Sequence, residues 1–382
     1  MIAPRRRAAW PAVGWPPFAA LLAVAWLAAP VRADELGTHA ATGAAVYRNN
    51  DGLQVISPWL QARQRVKGGA ALQADLKTDF ISAASVDMIS GASPRFHDTR
   101  NEAGLQALYD EQGLAGHAGY TYSTENDTRS HTVSVGAARE WLSRNLSTSL
   151  TYGLGLDRLG SVREPEALWH DRTSHRLDAT ITQLLSRTAV ASLAYTVQQI
   201  SGFQSSPYRM VPLVPKSADL WTRGHAQWVA EQHPDERTRH GVTIEARQAL
   251  SNRWFLRALY RGYVDTWGVR ANTGELGATF KVHYAVEVEL SNRFYWQSRA
   301  SFERAMYSVE RDFMTRDRRL VGQIADSTQL TVRTRWLNWE AMLQGVAGWE
   351  RYDDFHTLVS GAFVPMADTW TGIVQAALAV DL

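Results

Sequence analysis

Charged residues recur at every second position in several stretches of this chain. Arg63 and Arg65 do so, then Asp75, Lys77 and Asp79. Arg237, Arg239, Glu245 and Arg247 precede Arg257, Arg261 and Asp265; Glu287, Glu289 and Arg293 follow, then Arg333 and Arg335. At period two, every member of such a set shares one face of an extended strand. Fixed charges of both signs on one face can line a passage and orient or select hydrophilic solutes. They can equally pair with one another and close the space they surround.

Other chemistry finds less support. A serine nucleophile needs a histidine beside it and a third group to orient the ring. His117, His175, His240 and His283 fall in strand-like segments, His240 among apolar-set residues, and no serine–histidine spacing stands out. Asp353, Asp354 and His356 form one acidic loop cluster of a kind that is usually solvated. His97 with Asp98, Asp353 with His356, and His225 with His233 are metal-ligand types without compact ligand spacing. With no cysteine, disulfides, thiolate metal sites, iron–sulfur clusters and c-type haem attachment are excluded. No enzyme, metal or cofactor is expected. A formal charge of +2 with no basic helix argues against nucleic acid as a partner.

The elements that hold the charges are alternating strands. Leu72, Ala74, Leu76, Thr78 and Phe80 interleave with Gln73, Asp75, Lys77 and Asp79. Leu146 to Leu156 alternates with Ser147 to Asp157, and Trp254, Leu256, Ala258, Tyr260 and Val264 with Arg253, Arg257, Arg261 and Asp265. Val286, Val288, Leu290, Phe294 and Trp296 alternate in the same way with Glu287, Glu289, Arg293 and Gln297. A helix would spread these charges around its circumference. Segments of about ten such residues suit tilted strands crossing a bilayer, with one set facing lipid and the other the lumen.

The first 33 residues read as a secretory signal peptide. Arg5, Arg6 and Arg7 precede the apolar Phe18 to Ala29, and Val31-Arg32-Ala33 places cleavage before Asp34. No later segment holds 18 consecutive apolar residues, and mean hydropathy is −0.28, so membrane helices are not expected. Residues 34–382 show no linker or low-complexity boundary and are expected to form a single domain.

Short turns near 67–69, 111–113, 142–145, 185–187, 249–252, 282–284 and 337–338 alternate with longer polar stretches at 82–100, 158–172, 202–236, 298–324 and 351–368. The connections near 125–128 and 266–270 are short exceptions. Short turns and long loops match periplasmic and extracellular ends respectively. Counting from Leu53 gives fifteen strands, the first running down to a short turn; a weaker upward strand at Ala41 to Arg48, turned by Asn49 to Gly52, makes sixteen. Trp141, Trp254, Trp296, Trp336, Trp339 and Trp370 stand near strand ends, as interfacial girdles require. Leu382 departs from the aromatic residue that usually ends such chains.

At Asp51-Gly52, Ile81 to Pro94, Asp265-Thr266-Trp267-Gly268, Arg316 to Leu320 and Tyr352 to Phe355, the chain resembles a family of uncharacterised proteobacterial outer-membrane proteins, known only as a domain of unknown function. The likeness runs from about Thr42 to the C-terminus and implies one barrel and no established activity. It also implies a periplasmic redox context, because genes of the family neighbour those for flavin transfer and thioredoxin-like proteins. The loop motifs read either as an outward-facing functional signature or, more simply, as latches between loops and wall.

Register can be expected too. A turn at 249–252 would set Arg247 opposite Phe255, Glu245 opposite Arg257, Gly241 opposite Arg261 and Arg237 opposite Asp265; the turn at 67–69 would set Arg63 opposite Asp75. Arg261 and Arg335, if they face open water, would make a positive wall that favours anions. The expected fold is all-β: an antiparallel transmembrane barrel of about sixteen strands in the outer membrane of a Gram-negative cell, with lipid as its surroundings. The leading expected function is a passive or weakly selective pore for small polar solutes. A non-conducting sheath for a periplasmic partner, linked to redox enzymes, is the alternative, and a loop-based hydrolase a minor one.

Overall fold

The computed structural model describes residues 37–83, 96–214, 227–359 and 362–382. The expected leader and its cleavage point lie outside these residues, as do most of the Ile81 to Pro94 motif and His225. Twenty strands are described. The first nine are β1 (Thr38–Asn49), β2 (Gln54–Arg65), β3 (Ala70–Ala83), β4 (Phe96–Glu111), β5 (Leu114–Thr124), β6 (Thr128–Trp141), β7 (Leu146–Leu159), β8 (His170–Leu184) and β9 (Ala189–Gly202). A small hairpin follows, β10 (Met210–Leu213) with β11 (Gln227–Ala230). Then come β12 (Glu236–Ala249), β13 (Trp254–Asp265), β14 (Arg270–His283), β15 (Val286–Gln297), β16 (Gly322–Trp336) and β17 (Trp339–Asp353). A second small hairpin, β18 (His356–Val359) with β19 (Ala362–Pro365), precedes β20 (Thr369–Asp381).

Sixteen of these strands, all but the two small hairpins, close into one antiparallel barrel in chain order, with β1 pairing β20. Closure leaves no edge strand with unpaired amides. The chain reverses within a few residues at one end, the turn end, and through longer segments at most of the other, the loop end. At Gln112-Gly113 both residues adopt positive φ, 53° and 77°, the twist that a two-residue hairpin needs.

The barrel is inside-out relative to a soluble protein. Leu72, Leu76, Phe80, Leu105, Leu150, Leu276, Leu290 and Leu330 are each at least half exposed on the outer wall. The fully buried groups include polar ones such as Thr331 and Thr369. Two small apolar clusters occur, Trp267–Val269–Ala300–Leu320 and Val211–Tyr307–Met314, and both lie among the loop-end segments rather than inside the barrel. A continuous apolar outer band with no apolar interior fits a wall whose solvent is lipid. Exposed Trp141, Trp254 and Trp336, with Trp339, mark the turn end; Trp296 and Trp370 mark the loop end.

Both expected registers need correction by one step. Leu250 N–H donates to Trp254 O at 2.9 Å, so the loop is 251–253, and Ala249 pairs with Phe255. Ser251 Oγ accepts from the N–H groups of Arg253 and Trp254 and thereby fixes the loop one residue later than expected. Arg247 therefore faces Arg257, Glu245 faces Leu259, Gly241 faces Tyr263 and Arg239 faces Asp265. In the first hairpin Val66 N–H donates to Ala70 O at 2.7 Å, and Gln61, not Arg63, faces Asp75. The shifts preserve parity, so every side chain keeps its face.

Candidate functional site in the barrel lumen

Every expected site residue lies on the inward parity of its strand, in sectors of unlike character. On the β12–β16 sector near the turn end the charges are paired. Glu245 bridges the two facing arginines, taking Arg247 Nε at 2.5 Å and Arg257 Nε at 3.4 Å. Arg257 also bonds Glu275, Arg333 meets Glu289 at 2.9 Å, and Lys281 meets Glu287 at 3.3 Å. Glu245–Arg257 and Arg237–Asp265 thus associate as expected, but diagonally rather than as direct cross-strand partners. Arg335 is neutralised by Glu340 at 3.1 Å, which removes it from the expected positive wall.

Further towards the loop end lies a cavity of about 710 Å³ whose lining includes Arg261, Arg293, Tyr263, Tyr295 and Glu350. Among the described residues neither Arg261 nor Arg293 makes an ion pair. Gly241 leaves the space that the Arg261 guanidinium fills, since a Cβ there would stand 3.4 Å from its Nη2. Above it a chamber of about 430 Å³ gathers Arg172, Arg237, Arg239 and Arg319. Arg172 grips Asp157 through Nε and Nη2 at 2.9 and 2.8 Å, and Arg237 bonds Asp265 through Nε at 2.9 Å while stacking on Trp267. Among the described residues Arg239 has only the Gln198 amide oxygen, at 3.3 Å, and its buried Nε finds no partner.

The facing sector, β2–β5, is acidic towards the loop end. Asp79 pairs with Lys77 at 3.2 Å, and Arg100 serves Glu102 at 2.9 Å and Glu125 at 3.7 Å. Asp98, Glu125 and Asp127 bring ligand-type oxygens within 4.8 Å of one another, a grouping that sequence spacing did not reveal. Burial pushes the Glu125 carboxyl up, against the opposing pull of Arg100. Asp75 accepts from Gln61 at 2.7 Å and Gln73 at 3.1 Å. Arg63 stands nearer the turn end beside a cavity of about 460 Å³, close to where β1 and β20 meet.

The segments 203–214, 227–235 and 298–321 build a cap whose underside supplies His233, Asp317, Arg319 and Leu320 to the chamber. Its centre is Glu231, 4% exposed, which accepts from Thr315 Oγ1 at 2.5 Å, Arg209 at 2.9 Å and the Ser206 N–H at 3.1 Å. His233, whose Nε2 lies 3.3 Å from it, together with Arg209 and Thr315, holds its carboxyl below the usual range despite burial. The loop motifs act as latches. Arg318 reaches Asp51 in the first hairpin at 2.9 Å, and Asp51 also accepts from Thr369 Oγ1. Asp317 caps the short turn Arg318–Leu320, and Arg316 donates to His356 O. Asp265 Oδ1 accepts from the N–H groups of Trp267 and Val269. Arg172 was legible in the alternation of β8 and Asp317 lay within the Arg316 to Leu320 motif; Glu231 and Glu303 sit in aperiodic loops and gave no signal.

The family described as "Protein of unknown function (DUF3570)" matches residues 163–354, half of the chain. No curated protein matches in sequence. Among solved structures, a bacterial polysaccharide outer membrane secretin is similar over 91% of this chain and 98% of its own, with a TM-score of 0.51 at 9% identity. CdiB from Acinetobacter baumannii is similar over 91% of this chain and 60% of its own, with a TM-score of 0.51 at 10% identity. These likenesses concern the fold.

Proposed function

We propose, for a chain that belongs to the family of proteins of unknown function DUF3570, a role read from its own lumen: an outer-membrane barrel that passes small polar solutes and prefers anions. The loop end would face outwards and the turn end the periplasm. The observation that carries this reading is Arg239, Arg261 and Arg293, three inward guanidinium groups without carboxylate partners among the described residues, facing a sector where the acids gather. Oppositely charged walls set a field across the passage, and unneutralised cations raise the local anion concentration. The reading assigns no reaction and needs no cofactor.

Planar-bilayer recording of the purified protein under a salt gradient tests it. Ohmic steps with a reversal potential of anion-preferring sign are expected. A fixed charge in a wet lumen acts on a nearby ion with about 1 kcal/mol, so Arg261→Gln should lower the anion-to-cation permeability ratio about fivefold. A cation-preferring wild type would refute the charge argument. The latched cap favours a second reading, a closed barrel serving a periplasmic partner, and electrical silence would support it.

A further inference from the structure

The outer wall carries a repeated polar device. Tyr120 Oη lies 2.7 Å from His131 Nδ1, Tyr152 Oη 2.8 Å from His175 Nδ1, and Tyr195 Oη 2.8 Å from His240 Nδ1. A fourth hairpin repeats the arrangement with an amide, Tyr260 Oη to Asn272 Oδ1 at 2.6 Å. Each tyrosine stands six residues beyond the first residue of its strand, these being Leu114, Leu146, Ala189 and Trp254. Each histidine sits on the next barrel strand, one pair nearer the loop end: His131 faces Tyr122, His175 faces Leu154 and His240 faces Val197. The four pairs therefore form a level strip around β5–β9 and β12–β14, half of the barrel.

The height of the strip follows from strand geometry. At about 3.3 Å per residue and a tilt of about 40°, the imidazoles lie roughly 20 Å above the Trp254 level, in an apolar band roughly 25 Å tall. That is its outermost part on the loop side. A phenol is a good donor and an imidazole nitrogen a good acceptor; with Tyr O–H donating to Nδ1, Nε2 carries the ring proton and points away from the tyrosine. No protein group among the described residues accepts from these Nε2 atoms. Above them on the outward parity stand Arg129, Arg158 and Arg270, with Glu166 and Asp171 as counter-charges to the first two. Among the described residues the other half of the barrel has no tyrosine or histidine at the equivalent places: they hold Ala44, Leu76, Gly345 and Asn292, and its outward polar pairs include Asn292 with the acid Asp326 and Thr78 with Asn101.

We infer that this strip binds the phosphate-bearing headgroups of the leaflet at the loop end, each Nε2–H donating to a phosphate oxygen. The inference rests on the membrane reading of the barrel. Its test is the lipid preference of the full-length mature protein in phosphatidylcholine vesicles that contain trace spin-labelled phosphatidic acid or spin-labelled phosphatidylcholine. Electron paramagnetic resonance reads the motionally restricted fraction of each. The wild type is expected to enrich phosphatidic acid roughly threefold, as charge-assisted bonds at a wet interface allow. The triple variant H131F/H175F/H240F should bring the ratio to about one, while Y120F/Y152F/Y195F, which keeps the imidazoles, should retain it. Single histidine variants should each lower it by a partial step, which preserves the test if the triple variant does not insert. A wild type without preference overturns the inference, as does a preference that survives loss of all three histidines. If H131F/H175F/H240F alters the oligomeric state in sedimentation and leaves lipid preference intact, a second copy is the occupant and the lipid assignment falls. Absence of restricted lipid of either kind would instead defeat the membrane reading itself.

Discussion

Arginine at Leu150 is expected to block barrel assembly, and arginine at the adjacent Ser149 to be tolerated. Leu150 is 52% exposed on the outer wall near mid-height of β7, between Ala137 and Ala179 on its neighbours. Ser149 is on the opposite parity, between Ala138 and Thr180, facing the lumen. A guanidinium on the lipid face near the midplane costs about 2–4 kcal/mol, falling towards zero at the interfaces. The same group in a wet lumen keeps its water and pays almost nothing of this kind. Leu378→Arg against Ala377→Arg repeats the contrast on β20, beside the β1 closure. Folding yield into vesicles and heat-modified mobility on gels measure the effect. Equal tolerance at both parities would mean that water bathes both faces, and the membrane reading would fail.

That contrast was available from sequence because parity is a local property. The alternation at Leu72–Phe80 and Leu146–Leu156 places side chains on faces regardless of what the strands pair with, and β3 and β7 follow it. Strand number was legible as well, since each reversal carries its own turn chemistry and closure demands an even count. Register was not. It turned on which side chain caps a three-residue loop, and the choice of Ser251 moved the whole hairpin by one step. The pairs Glu245–Arg257 and Arg237–Asp265 survived that slip because long arginine side chains reach diagonal neighbours, whereas Arg63 and Asp75 make no ion pair among the described residues. The least legible part was the cap, whose contacts join residues far apart in sequence, such as Glu231 with Thr315 and Asp51 with Arg318. No periodicity marks such residues.

The cap should be tightest in mildly acidic solution, because its buried carboxylates respond to pH in opposite directions. Glu303 is 1% exposed, and one of its oxygens has no hydrogen-bond partner. Its nearest cation, Arg299 at 3.9 Å, is shared with Asp353 and Asp354. Burial pushes its carboxyl up to about 7, with Arg299 opposing and the two aspartates adding to the rise. A carboxyl raised in the folded state favours the fold fully only below its unfolded value. That contribution is lost as pH climbs from 4.5 through about 7, for a total of at most about 3 kcal/mol. Glu231 and Asp317 behave oppositely: their donors hold both carboxyls low, so their contribution is present at neutral pH and disappears only under stronger acid. Amide protection across 298–321, taken relative to the intrinsic exchange rate at each pH, should therefore fall between pH 4.5 and 7, while the barrel strands stay protected. Glu303→Gln keeps the shape and removes the charge, so protection of its cap should stay high and constant across that window. A fall of the same size in Glu303→Gln would assign the transition to another group. A wild-type cap insensitive to pH between those limits would mean that water reaches Glu303, and that the cap is looser than its contacts imply.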